Sequence, residues 1–189
     1  MRSTGALAGV LVALLVAACG GSASTHASGR LLYVTVSTPG MEPTIKTNGR
    51  VPVRLTHAAP RLYQLVAFHP PTSSNPTKLA CTDTNQGPSL KQPCGIPAPR
   101  ESATIFIERV VGLPGDRIAV MNGRIIRNGV GETRPTVPPC VGVPECSLPK
   151  PIVIPRGHYY LVGDNRGDSN DSRFWGPVPK SWIIGAAVR

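Results

Sequence analysis

Acidic residues are scarce in this chain: 10 Asp and Glu stand against 20 Lys and Arg, a formal net charge of +10 over 189 residues. Aromatic residues are scarcer still, at 5%. No aromatic–basic interleaving runs through the scattered arginines, which argues against nucleic acid as a partner. The positive balance suits anionic lipid headgroups or an acidic partner, or it is simply a basic surface. Apolar periodicity at helical spacing never lasts beyond a turn. With 21 prolines and 20 glycines, the chain is expected to be mainly β, built of short strands joined by many turns. No internal repeat is present, and the length supports one domain with a core plus a smaller excursion. No cysteine pair has the two-residue spacing of a zinc knuckle and no histidine lies near one, so neither a metal nor another cofactor is expected. His26, His57, His69 and His158 are scattered among loops and strand ends.

The N-terminus reads as a targeting segment. Arg2 supplies a positive charge and Gly5 to Val16 a short apolar stretch, below the ~20 residues that a spanning helix needs. It closes on Val16-Ala17-Ala18-Cys19-Gly20, which resembles a bacterial lipobox. The resemblance implies a signal peptide over 1–18, cleavage before Cys19, lipidation of Cys19 as the membrane anchor, and a flexible tether over 19–30. The expected location is outside the cell's cytoplasm, on the outer face of the cytoplasmic membrane. Export agrees with the cysteine arithmetic, since Cys81, Cys94, Cys140 and Cys146 remain as an even set in an oxidising compartment. Four cysteines allow three pairings. The local one, Cys81–Cys94 with Cys140–Cys146, closes two short loops among Pro, Gly, Thr and Asn and is the expectation.

Strands are expected at Leu31–Val36, at Arg50–Thr56, at Leu62–Phe68, at Thr104–Val111, and in the C-terminal runs His158–Val162 and Trp182–Val188. Pro52 makes Arg50–Thr56 an expected edge strand. Residues 70–103 read as a loop too polar to bury. Asn122-Gly123, between Arg117–Val120 and Arg124–Ile126, is a hairpin signal. A second Asn-Gly at Asn128-Gly129 opens a Pro-rich excursion. The domain proper is read as 31–189, with the excursion over about 117–157.

Three segments carry chemistry. They are Ser37-Thr-Pro-Gly-Met-Glu-Pro-Thr44, then Glu108-Arg-Val-Val-Gly-Leu-Pro-Gly-Asp116, then Gly163-Asp-Asn-Arg-Gly-Asp-Ser-Asn-Asp-Ser-Arg173. In that order they resemble the nucleophile, general-base and C-terminal signatures of the type I signal peptidases, serine endopeptidases that use a Ser/Lys dyad. The resemblance implies a signal-peptidase-like antiparallel β core and an activity directed at Ala-x-Ala-like segments. It makes Met41 and Pro43 parts of a substrate groove and Thr38 a helper of the oxyanion hole. Ser169 becomes the hydroxyl that orients the lysine. Asp164, Asn165 and Arg166 form a turn behind the site, and Asp171 with Arg173 a structural ion pair. A close Cys pair ahead of the last signature also occurs in some members.

The two residues that should react are missing. Alignment on Met41-Glu42-Pro43-Thr44 places Gly40 where the serine belongs, and alignment on Arg109 and Gly112-Leu-Pro-Gly-Asp116 places Glu108 where the lysine belongs. Glycine has nothing to attack with, and a carboxylate reverses the local charge. Gly49-Arg50 and Tyr63-Gln64 stand where the family usually carries Gly-Asp. Ser37 is a non-standard substitute nucleophile, but a three-residue shift moves a side chain about 10 Å along a strand, and 1 Å of misplacement can cost about 10²-fold. No lysine lies within Glu101–Asp116. Glu108 itself is expected to face solvent on a half-exposed strand or to pair with a nearby arginine. The expectation is therefore an inactive, lipid-anchored protein that keeps the fold, with Thr38 and Ser169 as remnants. Its partners are the membrane and signal-peptide-like segments. An envelope scaffold and an active enzyme using Ser37 are the alternatives.

Overall fold

The computed structural model describes residues 30–72, 81, 87–133 and 138–188; Cys19 and the leader lie outside them. Eleven strands form two antiparallel sheets. They are β1 (Leu31–Val36), β2 (Gly49–Leu55), β3 (Leu65–Phe68), β4 (Phe106–Gly112), β5 (Arg117–Met121), β6 (Arg124–Arg127), β7 (Val130–Gly131), β8 (Leu148–Val153), β9 (His158–Val162), β10 (Val178–Pro179) and β11 (Ile183–Ala187). The larger sheet runs β1-β2-β11-β3-β4-β9-β10, and the smaller, which is the excursion, runs β7-β6-β5-β8. A single helical turn, α1 (Ser172–Trp175), interrupts the last third of the chain.

β4 explains the layout. Its residues from Ile107 to Gly112 are all buried, because three apolar clusters meet on it. Ile107 packs with Val34, Val36 and Met41; Val110 packs with Phe68, Leu161 and Trp175; Val111 packs with Ile118, Ile125 and Tyr160 of the excursion side. A strand covered on both faces loses the alternation that marks a half-exposed one. The excursion is set by its turns. Asn122 and Gly123 have φ of 50° and 77°, the left-handed pair of a two-residue hairpin. Asn128 and Gly129, at 54° and 83°, turn the next hairpin from β6 to β7.

Two expectations are corrected here. β2 is not an edge strand: it lies between β1 and β11, and β1 is the edge. Pro52 is tolerated because its backbone faces β11 just where that ladder ends, its carbonyl accepting from Val188 N after the last pair, Ala187 with Val53. Nor is the segment around the first disulfide wholly solvated. Pro88, Cys94 and Ala98 are buried, Cys94 N donates to the Arg173 carbonyl at 3.1 Å, and Tyr160 Oη donates to the Cys94 carbonyl at 3.2 Å. Both disulfides form as the local pairs, Cys81–Cys94 and Cys140–Cys146.

Candidate active-site groove

β1 runs out at Val36, and Ser37 and Thr38 lead into the tight turn Pro39–Met41. A cis peptide bond joins Glu42 to Pro43. Glu42 holds the loop beyond it by accepting from the Thr47 backbone at 3.1 Å and hydroxyl at 2.8 Å. Across from this turn, β4 presents Glu108, and the polar string presents Asp168, Ser169 and Asn170. These pieces line one groove of about 340 Å³, which Ser37, Thr38, Gly40 and Met41 also border. Six sequence-predicted positions therefore converge: Ser37, Thr38, Gly40, Met41, Glu108 and Ser169. Pro43 does not join them; it is exposed and turned away from the groove lining.

The turn carrying Gly40 is pinned to the string from behind. Asn165 N donates to the Gly40 carbonyl at 2.9 Å, and Asn165 Nδ2 to the Pro39 carbonyl at 3.3 Å. Gly163 is where the two backbones come closest: a Cβ there would overlap the Ser169 hydroxyl and the Gly40 carbonyl oxygen. Gly40 has no such constraint. Its φ is ordinary, and the nearest atoms to a Cβ there would be the Asp168 carbonyl oxygen and Ser169 Cα at 3.5 Å and Ser169 Cβ at 3.6 Å, normal van der Waals contact. Packing does not require glycine at position 40.

Behind the groove the charges pair off. Arg109 Nε donates to Asp164 Oδ1 at 2.7 Å, Arg109 Nη2 donates to Oδ2, and Nη1 reaches the Tyr63 carbonyl at 2.8 Å. Thr44 Oγ1 donates to the same Asp164 carboxylate. Arg173 holds Asp171 through Nε at 2.8 Å and Nη2 at 2.9 Å, and Asp171 also accepts from Gly163 N at 3.1 Å. Arg166 donates to the Gly163 carbonyl at 2.9 Å and pairs with Glu132 of the excursion. All three pairs use the planar fork that suits a carboxylate, and all six side chains are buried. Asp171–Arg173 was legible in the sequence. Arg109–Asp164 and Arg166–Glu132 were not, because their partners stand 55 and 34 residues apart.

Glu108 is the exception, and it corrects the expectation of a solvent-facing or arginine-paired residue. It is only 4% exposed, Oε2 is buried with no hydrogen-bond partner, and the neighbouring arginines are held by Asp164 and Asp171. Both faces of β4 are covered from Ile107 to Gly112, so Glu108 does not face open water. Burial pushes the Glu108 carboxyl well above its ordinary range; the negative Asp171 adds to that push and Arg173 opposes it. A protonated carboxyl is a hydrogen-bond donor, not a base. Gly40 brings no nucleophile beside it. His69 and His158 bond local carbonyls, of Thr104 and Arg156, and neither lines the groove.

The model of the family described as signal peptidase, peptidase S26, matches residues 7–189 of this chain. Signal peptidase I of Leptolyngbya laminosa is 31% identical over 156 residues, covering 81% of this chain and 64% of that protein. A probable signal peptidase I of Synechocystis is 30% identical over 156 residues, covering 81% of this chain and 67% of that protein. The match thus spans about two thirds of the length of each. Among solved structures, a signal peptidase I from Enterococcus faecalis is 19% identical, with a TM-score of 0.41, covering 69% of this chain and 98% of that one. With its three signature segments gathered around one groove and a family match along nearly its whole length, the chain belongs to the signal peptidase S26 family.

Proposed function

We propose that this chain is a signal-peptidase-like protein that binds signal-peptide-like, small-residue segments at a membrane surface without hydrolysing them. The observation that carries the reading is that Gly40 and Glu108 border the same groove. The groove is kept while the positions for nucleophile and base hold neither. Acyl transfer needs a nucleophile within reach of a base that can take its proton, and the glycine at position 40 offers no nucleophile. What remains is a binding surface. β1 is the edge of the larger sheet and borders the groove, so an extended segment can add as a further strand, its backbone bonding to β1 and its side chains entering the groove.

Lipidated Cys19 is proposed as the anchor, with the tether and the +10 charge holding the domain against anionic headgroups on the outer face of the membrane. Replacing Cys19 by Ala should release the exported protein from membranes.

The test uses the full chain in detergent micelles and a fluorogenic Ala-x-Ala peptide. Saturable binding without turnover is the expected result. Turnover that disappears in Ser37→Ala would establish an active enzyme with a non-standard nucleophile. Absence of both binding and turnover would leave a scaffold. Cleavage gained by Gly40→Ser with Glu108→Lys would show that the groove still holds substrate in a reactive position.

A further inference from the structure

The groove's charge runs against that of the whole protein. The chain carries +10, yet among the described residues no lysine or arginine lines the groove, and its two ionisable lining residues, Glu108 and Asp168, are acidic. Glu108 Oε2 is buried and lacks a partner, a condition that folded proteins seldom leave uncompensated. The vacant side-chain space at Gly40 opens toward two more oxygen-bearing groups: a Cβ there would stand 3.5 Å from the Asp168 carbonyl oxygen and 3.6 Å from Ser169 Cβ. A cavity bordered by a carboxyl, a hydroxyl and a carbonyl calls for a compact group with several donors and no acceptor. A primary ammonium has three donors and no acceptor. The walls suit its stem, because Val34, Val36, Met41 and Ile107 border the same groove and can cover a lysine's methylenes.

From this arrangement we infer that the groove selects extended segments that carry a lysine, the lysine ammonium docking against Glu108. The inference rests on the reading of the groove as a peptide site and names what that site prefers. The charged and titratable groups facing Glu108 are Asp171 and Arg173, with Tyr160 beside them. Asp171 pairs with Arg173 through Nε and Nη2, Arg173 Nη1 is left buried without a partner, and among the described residues no ion pair reaches Glu108, so the incoming ammonium supplies the ion-pair partner that Glu108 lacks. Burial holds a proton on the free carboxyl; as the ammonium docks, that proton leaves to solvent and a carboxylate–ammonium pair remains.

The experiment places lysine, norleucine or acetyl-lysine at each position in turn of one Ala-rich peptide and measures affinity for the full chain in micelles. At one position the lysine peptide should bind about tenfold or more tightly than its norleucine and acetyl-lysine counterparts. Calorimetry in buffers of different ionisation heat should show proton release for lysine alone. Glu108→Gln should bring the three affinities together. Equal affinities at every position in the unmodified protein would overturn the inference while leaving the peptide site intact, as would a lysine preference that survives Glu108→Gln. If no peptide of the series binds, the peptide reading falls and this inference with it.

Discussion

Two layers of the molecule, a few ångströms apart, treat buried charge in opposite ways. Behind Gly40, Asp164, Asp171 and Glu132 each hold an arginine through a two-pronged pair. In front of it, Glu108 sits in the groove wall with Oε2 unpaired. The rear layer holds its charges in pairs and keeps the shape, with Arg173 Nη1 left over. The front layer is incomplete without something else in the groove. The difference shows where the fold tolerates change: the rear pairs are costly to break singly, whereas a groove residue can change with little penalty to the fold.

The comparison breaks most easily at the rear. Asp171→Ala leaves Arg173 buried without its carboxylate and should cost about 3–5 kcal/mol, read from urea unfolding midpoints; a loss below about 1 kcal/mol would mean that the rear layer is not the frame. Gly163→Ala comes next. Its Cβ would overlap the Ser169 hydroxyl and the Gly40 carbonyl, so a loss of about 1–3 kcal/mol is expected in the same assay.

Glu108 gives a smaller effect with a distinctive sign. The folded carboxyl holds its proton well above the ordinary value of 4.5, whereas the unfolded chain releases it near that value. Folding is therefore favoured by this group at low pH. The benefit is lost as pH rises from about 4.5 through the folded pKa, by at most about 1.4 kcal/mol per pH unit. Glu108→Gln removes the dependence, so melting temperatures measured between about pH 5 and pH 8 should shift progressively in the variant's favour. A difference that stays flat would mean that Glu108 titrates normally in the fold. Smallest is Gly40→Ala, expected within about 0.5 kcal/mol of the parent, because the new methyl meets only ordinary contacts.

Much of the fold was readable from local chemistry. Asn122-Gly123 needs left-handed backbone at both residues and receives it. The cysteines sit 13 and 6 residues apart within each pair and close where a local pairing would close them. The three motifs also located the groove, bringing Thr38, Gly40, Glu108 and Ser169 together. The environment of Glu108 was not readable. A strand with Glu-Arg in its middle resembles a half-exposed one, and its burial depends on segments distant in sequence that pack on both of its faces, which no local pattern encodes. Pro52 misled for a related reason, since whether a missing donor matters depends on where the neighbouring ladder stops.

Gly40 has one more consequence, which concerns the order in which substitutions could be made. A methyl can be added at this position with ordinary contacts only. At position 108, a longer cationic side chain must enter a buried wall where the neighbouring carboxylate Asp171 already holds Arg173. Substitution at the two positions is therefore lopsided: residue 40 can change almost silently, and the larger barrier falls on residue 108.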